Sequence, residues 1–248
     1  MNVALYDRIG SAYAQHRRPD PRIAARINSA LGACRSVLNI GAGAGSYEPL
    51  DRFVVAIEPS TEMLRQRARD AALAVQASAT RLPVRDQTFE ATLAVLTIHH
   101  WPDWRQGLRE MRRVARDRVV IVTWDPSHTG FWLVQDYFPA ILSIDRSIFP
   151  RLDAIEQELG SIDVLDVPIP ADCSDGFLGA YWRRPGSYLD PAARDAISSF
   201  SKLTDSELAL ERLRRDLVDG RWDTLHRELL DLPELDLGYR IVVHQIDP

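Results

Sequence analysis

A glycine-rich turn after a short apolar strand constrains this chain more than any other feature of its sequence. The strand covers residues 36–40, and Gly41, Gly43 and Gly45 follow it at alternate positions. Glycines allow positive φ angles, and they let a ligand approach the main chain closely. We expect a helix over residues 46–51, whose unpaired N–H groups would point toward that ligand. The pattern predicts that a nucleotide-like ligand lies across the turn.

A second apolar strand, over residues 53–57, strengthens this prediction. It ends at Glu58, which stands seventeen residues after Gly41. An acidic side chain at this place can accept hydrogen bonds from both hydroxyls of a ribose. Two alternatives remain open, a structural turn with no ligand and a dinucleotide site. The dinucleotide site fits less well, because its phosphate fingerprint requires the third glycine one residue after the position of Gly45.

Composition and charge limit the class of protein. The chain has 248 residues, 46% of them hydrophobic, which is enough for one large and well-packed domain. A net charge of -5 argues against a nucleic-acid partner. Because no apolar run reaches the length of a membrane span and the first residues include charges, we expect a cytoplasmic location and no membrane partner. Cys34 and Cys173 lack the spacing of metal ligands, and we expect no metal site.

Short β-rich segments alternate with segments of helical periodicity over the first two thirds of the chain. The predicted helices cover residues 4–16, 19–32, 46–51, 60–72 and 103–115. The predicted strands cover residues 36–40, 53–57, 73–77, 90–96 and 118–124. This alternation is typical of a parallel sheet with helices on both faces. We therefore expect an α/β fold with a mostly parallel sheet.

The pattern changes after residue 126. We expect helices joined by loops over residues 127–160, a strand over 161–167, and a mixed helical segment over about 175–232. A further apolar strand is predicted over residues 236–245. If the last two strands pair, the sheet ends in an antiparallel pair, and the segment inserted between them forms a cap.

Four motifs follow one another in the first half of the chain. They are Val-Leu-Asn-Ile-Gly-Ala-Gly-Ala-Gly at 37–45, Ile-Glu-Pro-Ser at 57–60 with Met63 and Leu64, Ala-Thr-Arg-Leu-Pro at 79–83 with Phe89 and Glu90, and Ile-His-His-Trp at 98–101. Their order and spacing resemble the class I S-adenosylmethionine-dependent methyltransferases, most of all the small-molecule branch often called methyltransferase type 11. The resemblance implies a Rossmann-like sheet of seven strands and S-adenosyl-L-methionine as cofactor. It also implies direct in-line transfer of a methyl group to a small-molecule acceptor.

The resemblance also suggests how a single methyltransferase domain over residues 1–248 is organised. A helical lid would cover residues 1–32, a cofactor-binding core residues 35–125, and two substrate-cap segments about 126–160 and 171–235. The cap carries many aromatic side chains: Trp132, Tyr137, Phe138, Phe177, Tyr181, Trp182 and Tyr188. They indicate either a pocket for a flat or apolar acceptor or packing between the cap and the sheet.

A set of cofactor-binding residues follows from the same resemblance: Asn39, Gly41, Ala42, Gly43, Gly45, Glu58, Pro59, Met63, Ser78, Ala79, Leu96 and Thr97. The glycines would approach the methionine part of the cofactor, and Glu58 would bind the ribose hydroxyls. Met63 or Pro59 would lie against the adenine ring, and the backbone N–H of Ala79 would donate to the adenine edge. Leu96 and Thr97 would face the sulfonium.

Three positions depart from the family pattern. Asn39 stands where the family usually has an acid, Ser78 where it often has an aspartate, and residues 116–118 replace a glycine pair. An amide and a hydroxyl still accept hydrogen bonds, so we expect weaker cofactor binding rather than its loss. The departures leave a second hypothesis open, a regulatory subunit that binds the cofactor without catalysis. An NAD-dependent oxidoreductase is a third.

Tyr13 and Arg17 belong to a predicted opening helix, in which Tyr6 and Tyr13 share one face. One interpretation is a hydrophobic stripe that docks on the sheet. The other is a lid over the cofactor, in which Arg17 would pair with the carboxylate of the cofactor. Tyr13 and Arg17 are therefore further candidates for cofactor binding.

Two adjacent histidines are the candidates for the catalytic base. His99 and His100 follow a predicted strand at the carboxyl edge of the sheet, where ligands bind in open α/β folds. A histidine there could take a proton from an acceptor hydroxyl or amine, because its ordinary pKa lies near neutral pH. The alternative is a pair of loop histidines that pack against Trp101 or bind a backbone carbonyl.

Overall fold

A seven-stranded sheet forms the centre of the structure, a computed structural model that describes residues 17–246. The strands in chain order are β1 (Ser36–Ile40), β2 (Phe53–Ile57), β3 (Leu73–Val75), β4 (Phe89–Val95), β5 (Ala115–Trp124), β6 (Asp163–Asp166), β7 (Ile169–Pro170), β8 (Glu234–Leu235) and β9 (Tyr239–Gln245). In space the sheet runs β3-β2-β1-β4-β5-β9-β6, and β7 pairs with β8 separately. The neighbours from β3 to β5 are parallel, whereas β9 is antiparallel to β5 and β6. The mostly parallel sheet and its antiparallel end are therefore confirmed.

Helices connect the strands. The α-helices of the described residues are α1 (Pro21–Leu31), α2 (Thr61–Arg65), α3 (Trp104–Val114), α4 (Pro139–Ile148), α5 (Leu152–Leu159), α6 (Pro191–Asp195), α7 (Glu207–Val218) and α8 (Arg221–Leu225). Short 3-10 or π-helical turns cover Ile98–His100, Leu133–Tyr137, Leu178–Tyr181, Pro185–Leu189, Phe200–Lys202 and Arg227–Leu229. The predicted helix over residues 4–16 lies outside the described residues. Between residues 17 and 246, no helix has the length and apolar character needed to cross a membrane.

Side-chain caps explain where α1 and α3 begin, which is within two residues of the predicted starts at 19 and 103. The side chain of Asp20 accepts a hydrogen bond from the backbone N–H of Arg22, and Pro21 occupies the first helical position of α1. Asp103 accepts a hydrogen bond from the backbone N–H of Gln106 at 3.0 Å and caps α3 in the same way. Such caps pair donors that the first helical turn leaves without an intrahelical acceptor.

Both faces of the sheet are covered. Successive side chains of a strand point to opposite faces, and accordingly Val37 packs with α1 while Leu38 packs with α3 and α5. The buried side chains of α3 lie three residues apart, at Leu108, Met111 and Val114. This spacing places an apolar stripe on the sheet. The helix-covered parallel sheet predicted from alternating periodicity is therefore present.

The strand order reverses beside β1, and this reversal determines where a ligand can bind. β1 pairs with β2 on one side and with β4 on the other. The chain leaves β1 toward β2 on one side, and it later crosses from β3 to β4 on the other side of β1, so that a crevice opens at the carboxyl ends of β1 and β4. Ligands of open α/β folds bind in such a crevice.

The prediction of a helix over residues 46–51 is wrong. The chain between β1 and β2 forms consecutive turns, and Tyr47 has a positive φ of 62°. Pro49 accounts for this, because a proline disfavours the helical conformation of the preceding residue and supplies no N–H of its own. The glycine turn therefore does not lead into a helix N-terminus.

The helix predicted over residues 60–72 is too long at its C-terminal end. It begins as expected at α2, where the Ser60 side chain accepts a hydrogen bond from the N–H of Met63 at 3.2 Å. It ends at Arg65, and the following segment turns so that Arg67 reaches Glu48. No glycine or proline stands at this point, and the end of α2 follows from a contact between distant parts of the chain.

The ion pair between Arg67 and Glu48 is buried and holds the turn after β1. Nη2 of Arg67 lies 2.8 Å and 2.9 Å from the two carboxylate oxygens of Glu48, and the side chains are 5% and 6% exposed. Arg67 also donates to the carbonyl oxygens of Gly43 and Ala72. Glu48 accepts a further hydrogen bond from Nδ2 of Asn39 at 3.3 Å. The pair therefore connects the glycine turn, the end of β1 and the start of β3.

The segments inserted between β5 and β9 form their own aromatic core. The indole N–H of Trp132 donates to the carbonyl of Trp182, and the indole N–H of Trp182 donates to the carbonyl of Ile169, each at 2.9 Å. The hydroxyl of Tyr188 donates to the carbonyl of Leu178. Aromatic side chains with a polar end become fully buried when that end has a partner. These rings stabilise the inserted segments themselves.

Substitution of Arg67 by Met is expected to destabilise the protein by about 3 kcal/mol, because it leaves the carboxylate of Glu48 buried without its counter-charge. The free energy of unfolding, measured by urea denaturation, tests this. The double variant Arg67→Met, Glu48→Gln removes both charges and should recover part of the loss. If the double variant is less stable than the single one, the ion pair does not account for the effect.

Candidate active site

A deep cleft of about 1220 Å³ opens at the carboxyl ends of β1, β2 and β4. It brings together twelve of the fourteen residues predicted to bind the cofactor: Arg17, Asn39, Gly41, Ala42, Gly43, Glu58, Pro59, Met63, Ser78, Ala79, Leu96 and Thr97. Gly45 does not line the cleft, and Tyr13 lies outside the described residues. We call this space the cofactor cleft.

The three glycines of the turn have different roles. A Cβ on Gly41 would lie 2.2 Å from Oγ1 of Thr97, so this glycine is required by the protein's own packing. A Cβ on Gly45 would lie 3.3 Å from Arg67 and Glu48, beside the buried ion pair. A Cβ on Gly43 would have no heavy atom of another residue within 4 Å beyond its two chain neighbours, and the φ of Gly43 is 55°. Among the three, Gly43 is therefore the position where an added side chain would enter the cleft.

The N–H groups of the turn are used by the protein. Gly41 and Ala42 donate to the carbonyl of Ile57 at the end of β2, and Gly45 donates to the carbonyl of Ala42. Gly43 donates to the carboxylate of Glu58 at 2.8 Å. The sequence predicts that unpaired helical N–H groups here point at a ligand. In the structure these groups belong to a turn, and they donate to Ile57 of β2, to Ala42 and to Glu58.

Glu58 is held in place by two backbone donors. One oxygen accepts from Gly43 and the other from the N–H of Ser60, each at 2.8 Å. Burial raises the pKa of Glu58, and the two N–H groups and the charge of Arg67 oppose that rise. A carboxylate offers about four acceptor positions, so two remain after these bonds. Glu58 therefore keeps the capacity to accept hydrogen bonds from two ligand hydroxyls.

The buried position of Asn39 explains its departure from the family pattern. Asn39 is 1% exposed and donates from Nδ2 to the carboxylate of Glu48. An acid at position 39 would place a second carboxylate against Glu48, which disfavours the charged form of both groups. An amide supplies a donor instead. Asn39 is thus matched to Glu48, and its presence is not evidence of lost function.

Several residues of the cleft were not selected from the sequence. They are Ala44, Ser46, Tyr47, Ser60, Val95, Trp101 and Pro102. Tyr47 follows the glycine motif by two residues, and Trp101 ends the Ile-His-His-Trp motif. Their orientation toward the cleft follows from the turn geometry and from the 3-10 turn after β4, which residue type alone does not reveal.

Arg17 is held by a buried network at the mouth of the cleft. Its Nε lies 2.8 Å from one carboxylate oxygen of Asp175, and the hydroxyl of Tyr47 donates to the other oxygen at 2.8 Å. Asp175 comes from the cap and is 1% exposed. Burial and the charge of Asp175 raise the pKa of Tyr47 well above its usual range. The network therefore joins the cap to the glycine turn through Arg17.

A second cavity of about 710 Å³ lies beneath the cap. Its walls are largely aromatic and aliphatic: Leu96, Trp124, Phe131, Val134, Leu142, Phe149, Phe177, Leu178, Ile197, Leu237 and Tyr239. Its polar lining residues are Arg17, His99, His100, Asp145, Ser198 and Ser199. Of the seven cap aromatics singled out from the sequence, Phe177 alone lines it, and the others lie outside its wall. We call this space the cap cavity.

The two cavities share part of their walls. Arg17, Leu96 and His100 line both of them. Leu96 has a positive φ of 49°, an uncommon conformation for a residue with a branched side chain. Its backbone N–H donates to the carbonyl of Val122 on β5 at 2.8 Å. The strained turn after β4 thus stands between the cofactor cleft and the cap cavity.

Burial makes both candidate bases neutral. It lowers the pKa of His100 to about 3, with smaller contributions from the charges of Lys202 and Arg17. It also lowers the pKa of His99 well below its usual range. His99 stacks on Phe149, with ring centroids 3.8 Å apart, and lines the cap cavity only. His100 lines both cavities, which makes it the better placed of the two candidates.

Comparison with known proteins agrees with the motifs and the geometry. The family described as methyltransferase domain matches residues 38–123. The demethylmenaquinone methyltransferase of Mycolicibacterium paratuberculosis is 31% identical over 170 residues, which are 65% of this chain and 73% of that protein. A crystal structure described as a methyltransferase from an antibiotic biosynthesis pathway of Anabaena variabilis has a TM-score of 0.86 at 32% identity and covers 94% of this chain and 100% of that one.

A third relative shows the fold alone. An S-adenosylmethionine-dependent methyltransferase structure from Thermotoga maritima has a TM-score of 0.60 at 14% identity and covers 100% of both chains. Together with the closer matches, the motifs and the cleft place this protein in one family. The chain belongs to the S-adenosylmethionine-dependent methyltransferases. It is an enzyme of that family, and its cofactor is S-adenosyl-L-methionine.

Alanine at Gly41 is expected to destabilise the protein more than alanine at Gly43. Both substitutions force a positive φ on a residue with a Cβ, at about 1 kcal/mol each. Gly41→Ala adds the collision with Thr97, for a further ~1–3 kcal/mol. Urea denaturation measures the difference. The added variant Thr97→Ala should relieve part of the loss at Gly41, and equal losses at the two glycines would contradict this assignment.

Acid is expected to destabilise the protein through His100. Its pKa in the folded protein is about 3, below the ordinary 6.5, so the unfolded chain binds the proton first. The stabilising effect of the neutral imidazole is present above pH 6.5 and is lost as the pH falls toward 3. At pH 5 the loss is about 2 kcal/mol. Unfolding free energies of wild type and His100→Gln at pH 7 and pH 5 test this, since the variant should lose less.

Asp145 acts in the opposite direction and defines the control for that experiment. Burial raises the pKa of Asp145 to about 6, from an ordinary value of 3.8. The folded protein therefore binds this proton first, and the contribution of Asp145 to stability increases as the pH falls between 6 and 3.8. The variant Asp145→Asn should accordingly lose more stability than wild type in acid. A variant His100→Gln with the same acid dependence as wild type would show that His100 is not buried neutral.

Proposed function

We propose that this enzyme transfers the methyl group of S-adenosylmethionine directly to a small and largely apolar acceptor held in the cap cavity. The observation that carries this proposal is the common wall of the two cavities at Arg17, Leu96 and His100. A direct transfer requires donor and acceptor to meet in line within one enclosed space. The proposal assigns the donor to the cofactor cleft and the acceptor to the cap cavity.

The residues of the cofactor cleft fit S-adenosylmethionine. Glu58 has free acceptor capacity for the ribose hydroxyls, and Gly43 borders open space on the same side of the turn. Met63 and Ala79, both buried beside this space, are assigned to the adenine ring. When bound, the cofactor supplies a methyl group already activated by a sulfonium. The protein's tasks are therefore alignment, exclusion of water and acceptance of a proton.

Arg17, which is oriented by its ion pair with Asp175, is assigned to the carboxylate of the cofactor. A guanidinium has five N–H donors in a planar arrangement, and the Nε of Arg17 donates to Asp175. Arg17 also lines the cofactor cleft. The proposal retains the lid predicted over residues 1–32 for this reason, with Arg17 as the described residue that supports it.

The walls of the cap cavity support an apolar acceptor. Aromatic side chains from four parts of the chain, Trp124, Phe131, Phe149 and Tyr239, surround it. Such walls bind flat or aliphatic molecules through buried apolar area. The names of the two closer relatives concern demethylmenaquinone and antibiotic biosynthesis, which are consistent with a small acceptor. The proposal accordingly treats the segments over 126–160 and 171–235 as the part that selects the acceptor.

His100 is the proposed proton acceptor. It lines both cavities and is therefore near the place where an acceptor atom would receive the methyl group. Its low pKa keeps the imidazole neutral over the ordinary pH range, so one ring nitrogen carries a lone pair. The same low pKa makes it a weak base, and proton transfer to it is favourable only as the acceptor acquires positive charge. His99 remains a second candidate.

Calorimetric titration with S-adenosylmethionine, S-adenosylhomocysteine and NAD tests the assignment of the cofactor. Both sulfur ligands should bind, and NAD should not. Gly43→Val should abolish binding, because its side chain enters the cleft. Gly220→Val is the matched control, since Gly220 also has a positive φ, of 67°, and open space around it. Glu58→Gln should weaken binding about tenfold, through the loss of a charge-assisted hydrogen bond.

Three outcomes would contradict the proposal. The first is binding of NAD alone, and the second is binding of none of the three ligands. The third is equal weakening by Gly43→Val and Gly220→Val, which would indicate a general effect of backbone strain. Thermal unfolding of each variant shows that loss of binding is not loss of folding. Turnover on a panel of small aromatic acceptors then separates an active enzyme from a regulatory subunit.

A further inference from the structure

The cap cavity has an aspartate among its largely apolar lining residues. Asp145 belongs to α4, lines the cap cavity and is 5% exposed. Its carboxylate oxygens accept from Oγ of Ser199 at 3.1 Å and 3.0 Å. No other hydrogen bond or ion pair of the carboxylate occurs among residues 17–246. Both contacts come from a single hydroxyl, which has one hydrogen to donate.

Asp145 therefore has unused acceptor capacity toward the cavity. A carboxylate accepts up to about four hydrogen bonds, and Ser199 supplies one. A buried charged group without partners lowers stability, and burial indeed raises the pKa of this carboxyl to about 6. A buried acid with a raised pKa that lines a cavity is a candidate for ligand recognition. The remaining acceptor positions are available to a molecule in the cavity.

The charges around the cavity favour a neutral donor over a cation. Lys202 is close enough to act on Asp145 by its charge, although it makes no ion pair with it. Lys202 does not line the cavity, whereas Arg17, which is paired with Asp175, does. His99 and His100 are neutral. The positive charges of Lys202 and Arg17 would repel an ammonium group in this space and would not repel a neutral hydroxyl.

Asp145 does not line the cofactor cleft, although Arg17, Leu96 and His100 do. A group bound to Asp145 is therefore not the group that meets the sulfonium. An acceptor that occupies the whole cavity therefore carries two polar groups on one apolar ring. One group binds Asp145, and the other receives the methyl group.

We propose, on the basis of the proposed function, that Asp145 selects acceptors with a hydroxyl group on an apolar ring and binds that hydroxyl away from the methyl-accepting atom. Asp145 is a specificity-determining residue in this proposal. Trp124, Phe149 and Tyr239 contact the ring, and Asp145 determines which substituent the ring carries and how the ring is oriented.

Equilibrium binding of three naphthalene probes tests the proposal. The probes are 1-naphthol, its methyl ether 1-methoxynaphthalene, and 1-naphthylmethylamine, which is a cation at neutral pH. Wild-type protein with S-adenosylhomocysteine present should bind 1-naphthol about tenfold more tightly than the methyl ether, the range expected for one hydrogen bond to a charged acceptor. It should also prefer 1-naphthol to the amine. Equal binding of naphthol and ether, or tighter binding of the amine, would overturn the proposal.

Two variants identify Asp145 as the source of the selectivity. Asp145→Leu has a similar shape and no acceptor, and it should reduce the preference for naphthol over the ether to less than about twofold. Ser199→Ala removes the internal hydrogen bond and leaves the carboxylate, so the preference should persist. If both variants lose affinity for all probes equally, Asp145 only supports the cap through Ser199, and the proposal fails.

The failure of this inference is distinguishable from failure of the proposed function. Titration with S-adenosylhomocysteine reports on the cofactor cleft, which Asp145 does not line. If that ligand binds and the naphthol preference is independent of Asp145, the methyltransferase assignment stands and the selectivity proposal is wrong. If that ligand does not bind, the proposed function fails whatever the probes show.

Discussion

The buried ion pair between Glu48 and Arg67 is the interaction on which the cofactor cleft depends. Glu48 follows the glycine turn, and Arg67 follows α2. The pair is reinforced by Asn39 and by the carbonyl of Gly43, so β1, the turn and the segment before β3 meet at one charged centre. Since no helix follows the turn, this centre stabilises its shape. The N–H of Gly43 can then bind Glu58, which orients the carboxylate at the floor of the cleft.

The same centre explains a departure from the family pattern that otherwise suggests lost function. In a cleft where Glu48 already supplies a buried carboxylate, a second acid at position 39 would repel it, and an amide that donates to Glu48 is the better partner. The family usually has an acid at the position of Asn39 in β1. In this chain the buried carboxylate at this place comes from Glu48, nine residues later, and Asn39 donates a hydrogen bond to it. A substitution at one position of a motif has meaning only together with the charge that lies beside it.

The cap shows how residue type can indicate a function that location does not support. Trp132, Trp182 and Tyr188 are large aromatic residues outside the sheet, and from the sequence they are candidates for an acceptor pocket. In the structure their N–H or O–H groups donate to backbone carbonyls of the inserted segments. They give the inserted segments a core of their own. The rings that line the cap cavity are Trp124 of β5, Tyr239 of β9, and Phe131, Phe149 and Phe177 of the inserted segments. An aromatic count predicts a buried region, and the fold decides which rings face an empty space.

The order of most strands and helices follows from local periodicity. The cofactor and most of the residues now seen in the cofactor cleft follow from motifs on a short stretch of chain that resemble a known family. Glu58 and Gly43 lie where the spacing predicts. Tertiary structure decided the end of α2 at the Arg67 contact, the pairing of Arg17 with Asp175, and the place of Asp145 in the cap cavity. Each joins residues far apart in the chain, and a contact of that kind depends on how the elements pack, which no local pattern records.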